Sequence, residues 1–231
     1  CCKLKRISMI ITIDGPTASG KSTVARSIAQ KLNLYYIASG LLFRALAYLL
    51  IHERKYTPTT VNQAQAHEFT QLLDPHDFVY TFDHNGECIT YKGVNITPQL
   101  KMSDIDTAAS VLATNQDARE PLLQLQRHLA QKHDVIIDGR DCGSVVFPHA
   151  QFKFFLTASP QARAQRWQKL HAKLDKDLNL DQALDFVNAR DNRDNQRNAL
   201  AITSDTHVID NSAMDQSQTV DAIINIIMEK S

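Results

Sequence analysis

The chain has no surplus of charge: 25 lysines and arginines face 25 aspartates and glutamates, for a formal net charge of zero. No global field therefore draws it to nucleic acid or to an anionic membrane surface. It also lacks a disulfide framework. Four cysteines, two of them adjacent at Cys1 and Cys2, form no CxxC pair, which points to a reducing compartment and a cytoplasmic location. The nine histidines build no HExxH or similar cluster, so a zinc site is not expected. Long apolar runs are missing too, and those around Val135–Ile137 and Phe152–Leu156 are far too short to span a bilayer. "CCKLKRISM" has basic residues with no apolar core after them, so it does not read as a secretory signal. Residues 1–8 read instead as an upstream extension or a processing remnant. Asn95-Ile96-Thr97 matches a glycosylation acceptor only by chance if the compartment is reducing. The expected partners are small molecules, with no nucleic acid and no membrane, and the neutral, unpatterned surface points to a monomer.

What is present is enough for a core: 43% hydrophobic residues in 231, the size of one domain or one core with an inserted lobe. The pattern begins β/α. Met9–Ile13 is a short apolar strand, Lys21–Leu32 an amphipathic helix with Val24, Ile28 and Leu32 on one face, Tyr35–Ile37 a second strand, and Leu41–His52 an apolar helix. After Lys55 the character changes. Val61–Leu73 reads as a polar helix, and residues 77–97 alternate with period two around Asn85-Gly86 and again near Lys92-Gly93, the signature of a small antiparallel sheet. Helical spacing returns over Asp104–Lys132. "DVIIDGRDCGSVVF" is a buried β/α junction, and Phe152–Ala158 has the continuous apolar character of a strand covered on both faces. Gln161–Leu174, Asp181–Asn198 and Gln216–Glu229 are helices, and "THVIDNS" a last strand. The fold class is α/β: a parallel sheet core flanked by helices, with an inserted lobe holding the antiparallel sheet and a helical lid. The expected division is a core of residues 9–61 and 116–231, an insert at about 62–115, and a lid at about 160–198.

Gly15-Pro16-Thr17-Ala18-Ser19-Gly20-Lys21-Ser22, followed by Thr23, matches GxxxxGK[ST] at every defined position, between a strand and a helix. Glycines there let backbone N–H groups converge on a phosphate, and the helix adds the partial positive charge of its N-terminus. Lys21 reaches the β- and γ-phosphates and the Ser22 hydroxyl can ligate Mg²⁺. Asp138, at the end of a buried strand, is the candidate for ordering that ion through water; a loop-capping role is its bland alternative. The stretch is read as a nucleoside-triphosphate site, with ATP as phosphate donor and Mg²⁺ as cofactor, and the parallel sheet core as one of the P-loop NTPase type.

A phosphate loop alone does not choose between switch, motor and kinase. A guanine-reading NKxD stretch is absent, and the chain is short for a motor. A kinase needs a second anion site, and cations are available for one. Arg44 opens an apolar helix, Arg140 sits in "DGRD", and Arg190, Asp194 and Arg197 recur at i, i+4 and i+7 on one helical stripe. Each has a plainer alternative: Arg44 snorkelling, the stripe a salt-bridged solvent face. Arginines packed as in "RDNRDNQR" repel unless anions lie between them.

Together, "IDGPTASGKSTVAR", "YYIASGLLFRALAYLL", "DGRDCGSVVFPHAQFKFFLTASPQARAQRW" and "ARDNRDNQR" resemble the bacterial cytidylate kinases, the (d)CMP kinase branch of the nucleoside monophosphate kinases, from about Ile10 to Ile227. The resemblance implies transfer of the γ-phosphoryl of ATP to CMP or dCMP, in pyrimidine metabolism. It also implies roles at matching positions. Ser39 and Arg44 would hold CMP and its α-phosphate. Ser110, Arg119 and Asp141 would read the cytosine edge. Arg140 and Arg197 would clamp phosphate, Arg190 and Asp194 would contact the sugar, and Arg163 and Arg166 would reach the donor's phosphates from the lid. Lys21, Arg140, Arg190 and Arg197 are the residues expected to carry catalysis.

The chain departs from the family's habits at several points. Ser22 stands where glycine is common, Phe43 for a usual tyrosine, Trp167 and Lys101 for frequent arginines, and Cys142 fills an apolar slot. Two other readings remain beside the resemblance: a small-metabolite kinase of the shikimate or gluconate kind, and a nucleotide-binding module without turnover.

Overall fold

The computed structural model describes residues 9–172, 179–196 and 202–230. The chain divides into two compact units, one spanning Tyr35–Val135 and the other made of Met9–Leu34 with the described part of Ile136–Ser231. The first unit extends on both sides of the segment 62–115. The parallel sheet has five strands, four of which, in the order β6-β1-β7-β8, belong to the second unit; β2 falls in the first.

In the second unit, β1 (Ile10–Asp14) lies parallel to β7 (Phe152–Thr157), with Ile11 opposite Phe152, and β8 (Thr206–Asp210) lies parallel to β7 on its other side. β6 (Val135–Gly139) is buried at every position, and Ile11, Ile13, Ile136, Ile137 and Leu156 have no exposed surface. Residues apolar on both faces are what a helix-covered parallel sheet demands. α1 (Lys21–Leu32) turns Val24, Ala25, Ile28 and Ala29 inward and ends at Asn33, whose left-handed backbone lets its N–H bond the Ala29 carbonyl. α8 (Gln216–Lys230) packs on α1 and buries Val220, Ile223 and Ile227, while Lys31 reaches Asp221 at 2.9 Å across the exposed rim. α6 (Pro160–Ala172) and α7 (Leu180–Gln196) pack together, with Trp167 stacked on Phe186 at 4.4 Å between ring centroids.

The first unit holds β2 (Tyr35–Ala38), α2 (Ser39–Arg54), α3 (Ala66–Leu72), the antiparallel strands β3 (Phe78–Asp83), β4 (Gly86–Tyr91) and β5 (Val94–Asn95), then α4 (Ser103–Leu112) and α5 (Gln116–Ala130). α2 buries Leu42, Ala45, Leu46, Leu49 and Leu50. The Tyr80 hydroxyl ties β3 to β2, donating to the Tyr36 carbonyl at 3.0 Å and accepting the Ala38 N–H at 3.0 Å.

Three expectations for this unit change in detail. The expected helix over Val61–Leu73 is a single 3₁₀ turn, Val61–Gln63, followed by an extended Gln65 and then α3. Glu68 closes that start, its carboxylate accepting the Gln65 N–H and the Tyr56 hydroxyl, each at 2.9 Å. In the first hairpin, the two-residue loop is His84-Asn85, not Asn85-Gly86. Asp83 pairs with Gly86, and Gly86 takes the positive φ of 105° next to the loop, where a glycine lets the strand resume. Lys92-Gly93 does carry positive φ at both positions, 48° and 78°, the mirror-image turn that fits twisted strands.

The helical spacing over Asp104–Lys132 is divided into α4 and α5, with Asn115 between them. Its side-chain oxygen caps α5, accepting from Asp117 at 2.8 Å and Ala118 at 3.2 Å, and its amide donates to the carbonyls of Asn62 at 2.8 Å and Ala64 at 3.1 Å. One side chain thus caps a helix and satisfies two carbonyls of the preceding loop. Asn115→Ala is expected to lower stability by about 2 kcal/mol in urea denaturation, the cost of a lost cap plus unsatisfied loop carbonyls. An effect under roughly 0.5 kcal/mol would show these bonds to be replaceable by water.

Candidate active site

The turn between β1 and α1 has a shape that two glycines make possible. A Cβ on Gly15, at φ 147°, would stand 2.1 Å from the Leu156 carbonyl oxygen, so only glycine allows the strand end to approach β7. Gly20, at φ 94°, starts α1, its carbonyl accepting from Val24 at 3.0 Å. Ala18 also takes a left-handed φ of 60°. Over this turn folds Lys21, only 5% exposed, its Nζ donating to the Pro16 carbonyl at 2.6 Å and to Ser19 Oγ at 3.4 Å. Burial lowers its pKa to about 7. Arg140 pushes in the same direction, while Asp138, Asp194 and Asp14 oppose it. A buried ammonium with that burden is primed to take an anion.

Ser22 Oγ donates to Asp138 Oδ2 at 2.6 Å. The hydroxyl at the start of α1 and the carboxylate at the end of β6 are therefore brought together. Both are hard oxygen donors, a set that suits Mg²⁺ completed by phosphate oxygens and water. Among the described residues no cluster of three or more His, Cys, Asp or Glu side chains is arranged for a metal.

Beyond β6 the chain turns through Arg140 and Asp141 into a single π-helical turn, Cys142–Val146. Asp14, 6% exposed, holds that turn by accepting the N–H groups of Cys142 at 2.8 Å and Gly143 at 2.7 Å. A Cβ on Gly143 would meet Thr12 Oγ1 at 2.8 Å, so the approach needs glycine. Burial raises the Asp14 pKa to about 6 although both N–H bonds pull it down. Cys142 is buried with its thiol pKa pushed well up by burial, the opposite of an activated nucleophile.

Two arginines of this unit, Arg140 and Arg163, are gripped from α7. Arg140 donates through Nε to Asp194 at 2.7 Å and through Nη2 to Thr17 Oγ1 at 2.7 Å. Arg163, 4% exposed, forms a forked pair with Asp191 at 3.0 and 2.6 Å and also reaches the carbonyls of Ala158 at 3.0 Å and Thr17 at 3.2 Å. Arg166 is held by Asn211, at 2.9 Å from its side-chain oxygen and 2.7 Å from its carbonyl. The Arg190 guanidinium lies over the Phe186 ring, 5.9 Å from its centroid. Asp141 is part-exposed at the start of the π-helical turn. Gly15–Thr23, Asp138, Arg140, Asp141, Arg163, Arg166, Arg190 and Asp194 all fall in this second unit; Arg197 lies outside the described residues.

The first unit carries Ser39, buried at the first position of α2, Arg44 one turn later, Ser110, buried on α4, and Arg119 on α5. Arg44 Nη2 donates to Asp106 Oδ1 at 2.5 Å, tying α2 to α4. Four residues here were not singled out from the sequence: Asp14, Asp106, Asp191 and Asn211. Asp14 stands directly before Gly15, and Asp191 repeats Asp194 at i−3, so both had a local signal; Asp106 and Asn211 had none.

A family model described as cytidylate kinase matches residues 11–229. The chain is similar to the cytidylate kinase of Desulforamulus reducens, 34% identical over 220 residues that cover 94% of each chain. It is 38% identical over 218 residues to that of Bordetella pertussis, covering 94% of this chain and 93% of the relative. The cytidylate kinase of Bacillus subtilis is 30% identical over 223 residues, 96% of this chain and 97% of the relative. Among solved structures, an uncharacterized protein from Eubacterium ventriosum matches with a TM-score of 0.55 at 15% identity, covering 96% of this chain and 99% of that one, a likeness of fold alone.

The raised Asp14 pKa has a measurable sign. A carboxyl titrating near 6 when folded and at 3.8 when unfolded costs stability above about pH 6 and regains it as pH falls toward 3.8. The stability of the wild type minus that of Asp14→Asn should therefore rise between pH 7 and pH 4 in matched urea titrations. A difference flat with pH would show that Asp14 titrates as an ordinary carboxyl.

Proposed function

The chain belongs to the cytidylate kinase family, and from that premise we propose how its residues divide the transfer of the γ-phosphoryl group of ATP to CMP or dCMP. The observation that carries the division is the phosphate turn itself, where Lys21 lies buried over Gly15–Gly20 and Ser22 meets Asp138. At the donor end, the backbone N–H groups of Gly15–Ser22 and Thr23 bind the polyphosphate, and Lys21 places its charge on the β- and γ-phosphates. Ser22, with Asp138 through water, would hold Mg²⁺, which supplies charge to the same phosphates when bound. Arg166 and Arg163 serve this end from α6. Four of the five N–H groups of Arg163 are on protein acceptors, so its main contribution is to fix the Thr17 carbonyl.

At the acceptor end, Ser39 and Arg44 take CMP and its α-phosphate, with Arg140 and Arg197 as further phosphate clamps and Arg190 and Asp194 on the sugar. Ser110, Arg119 and Asp141 read the base. Cytosine offers an amino donor that a carboxylate satisfies; uracil presents an acceptor there and leaves a polar mismatch. The accepting oxygen is already anionic, so no strong general base is required and the protein works by positioning and charge neutralisation. The same reading takes the protein as a cytoplasmic monomer. Among the described residues no helix is long and apolar enough to cross a membrane, and Cys88 and Cys142 are free thiols.

A coupled ADP-release assay over CMP, dCMP, UMP, AMP and shikimate should give turnover with the two cytidine nucleotides at least about tenfold above the others, the discrimination one buried polar mismatch provides. Equal use of a non-cytidine acceptor would overturn the base-reading assignment. Asp141→Ala should raise KM for CMP by about tenfold or more while moving KM for ATP little; the reverse pattern would remove Asp141 from the base. Lys21→Met should lower kcat by roughly a thousandfold, as for loss of one preorganised charge on the transferring group.

A further inference from the structure

Asn211 lies in the loop after β8 and is 4% exposed. Both ends of its side-chain amide are used. Nδ2 donates to the Ser19 carbonyl at 3.0 Å, and Oδ1 accepts from Arg166 Nη1 at 2.9 Å. Its main chain is anchored as well: the N–H donates to the Thr157 carbonyl at 2.9 Å and the carbonyl accepts from Arg166 Nη2 at 2.7 Å. Arg166 Nη1 also approaches the Ser19 carbonyl, at 3.4 Å. The Ser19 oxygen is thus held by donors from two side chains, Asn211 and Arg166, that are joined by the Arg166 Nη1 bond to Asn211 Oδ1, a closed ring between the phosphate turn, α6 and the end of β8.

The held atom matters because of the peptide it belongs to. In a trans peptide the carbonyl and the next N–H point in opposite directions. Fixing the Ser19 oxygen toward Asn211 therefore fixes the Gly20 N–H away from Asn211. Gly20 is the residue least able to do this alone, since its φ of 94° is one of many open to glycine. A Cβ at Gly20 would find only Asn211 Nδ2 within 4 Å, at 3.8 Å, so the amide is the side chain packed against this residue.

We infer that Asn211 is a positioning residue for donor binding: with Arg166 it locks the Ser19–Gly20 peptide so that the Gly20 N–H is aimed into the phosphate cradle. The inference rests on the reading that Gly15–Ser22 holds the triphosphate. Asn211 touches no phosphate itself. It removes the freedom of one peptide to rotate, so that the donor does not have to order it on binding. It also gives Arg166 a fixed place beside the same turn.

The test compares ATP and CMP affinities, each measured separately by calorimetry, in wild type, Asn211→Asp, Asn211→Ser and Lys21→Met. Asn211→Asp keeps the acceptor for Arg166 and replaces the donor to Ser19 with a carboxylate oxygen; Asn211→Ser is too short to reach. Both should weaken ATP by roughly tenfold or more, the loss of one buried hydrogen bond, with CMP affinity within about twofold of wild type. Retained CMP binding shows that the fold persists. The inference is overturned if both variants bind ATP as the wild type does while Lys21→Met loses it, which leaves the donor-turn reading standing. It is equally overturned if ATP and CMP affinities fall together, the mark of a merely structural role. ATP binding insensitive to Lys21→Met as well would overturn the reading beneath it.

Discussion

The second unit is organised around a problem of charge: Lys21, Arg140, Arg163 and Arg166 are set about one turn of backbone, and like charges in a partly dry site repel. Burial lowers the pKa of Lys21 to about 7 and the charge of Arg140 adds to it, against the opposing pull of Asp138, Asp194 and Asp14. Such a cluster persists because each arginine is forced to face a partner. Asp191 takes Arg163, Asp194 takes Arg140, and the neutral Asn211 takes Arg166. Forked and charge-assisted bonds define direction as well as energy, so the partners decide where each guanidinium points. Removing one partner from such an arrangement leaves an uncompensated buried charge, which costs more than the pair itself contributes.

The glycines and Asp14 set the scaffold on which that charge is arranged. Gly15 lets the end of β1 run against Leu156 of β7, and Gly143 lets the π-helical turn run against Thr12. Asp14 then joins the two by taking the N–H groups of Cys142 and Gly143. The residue just before the phosphate turn therefore fixes the residues just after Arg140 and Asp141. The turn before α1 and the turn after Asp141 share one buried carboxylate, and the high pKa of that carboxylate is the cost of keeping it dry.

The sequence made some of this legible and hid the rest for physical reasons. GxxxxGKS was readable because glycine spacing, lysine and serine each answer to a phosphate, and α1 matched its expected limits, Lys21–Leu32, because an apolar stripe of period 3.6 has one interpretation. The arginines were visible as a density of charge. Which carboxylate takes which arginine was not, because an aspartate that caps, pairs or faces solvent looks the same in a string; Asp106 acquires meaning only from its distance to Arg44, and Asp191, despite its spacing from Asp194, gets its partner only from the distance to Arg163. Asn115 was hidden for a related reason: a polar residue inside helical spacing signals a cap only when the loop it bonds is known. The hairpin loop was displaced by one residue since glycine serves a central turn position and the position after it equally well.

Thr17 is where these strands of the structure meet. Its carbonyl accepts from Arg163 and its hydroxyl from Arg140, and the carboxylates holding those two arginines, Asp191 and Asp194, stand three residues apart on α7. Residues at that spacing share one face of a helix, so a single face of α7 reaches the phosphate turn through two arginines at once. Trp167 fits the same scheme. It stacks on Phe186, whose ring lies beneath Arg190. That aromatic contact helps hold α6 to α7, and with them Asp191 and Asp194, whose arginine partners reach Thr17.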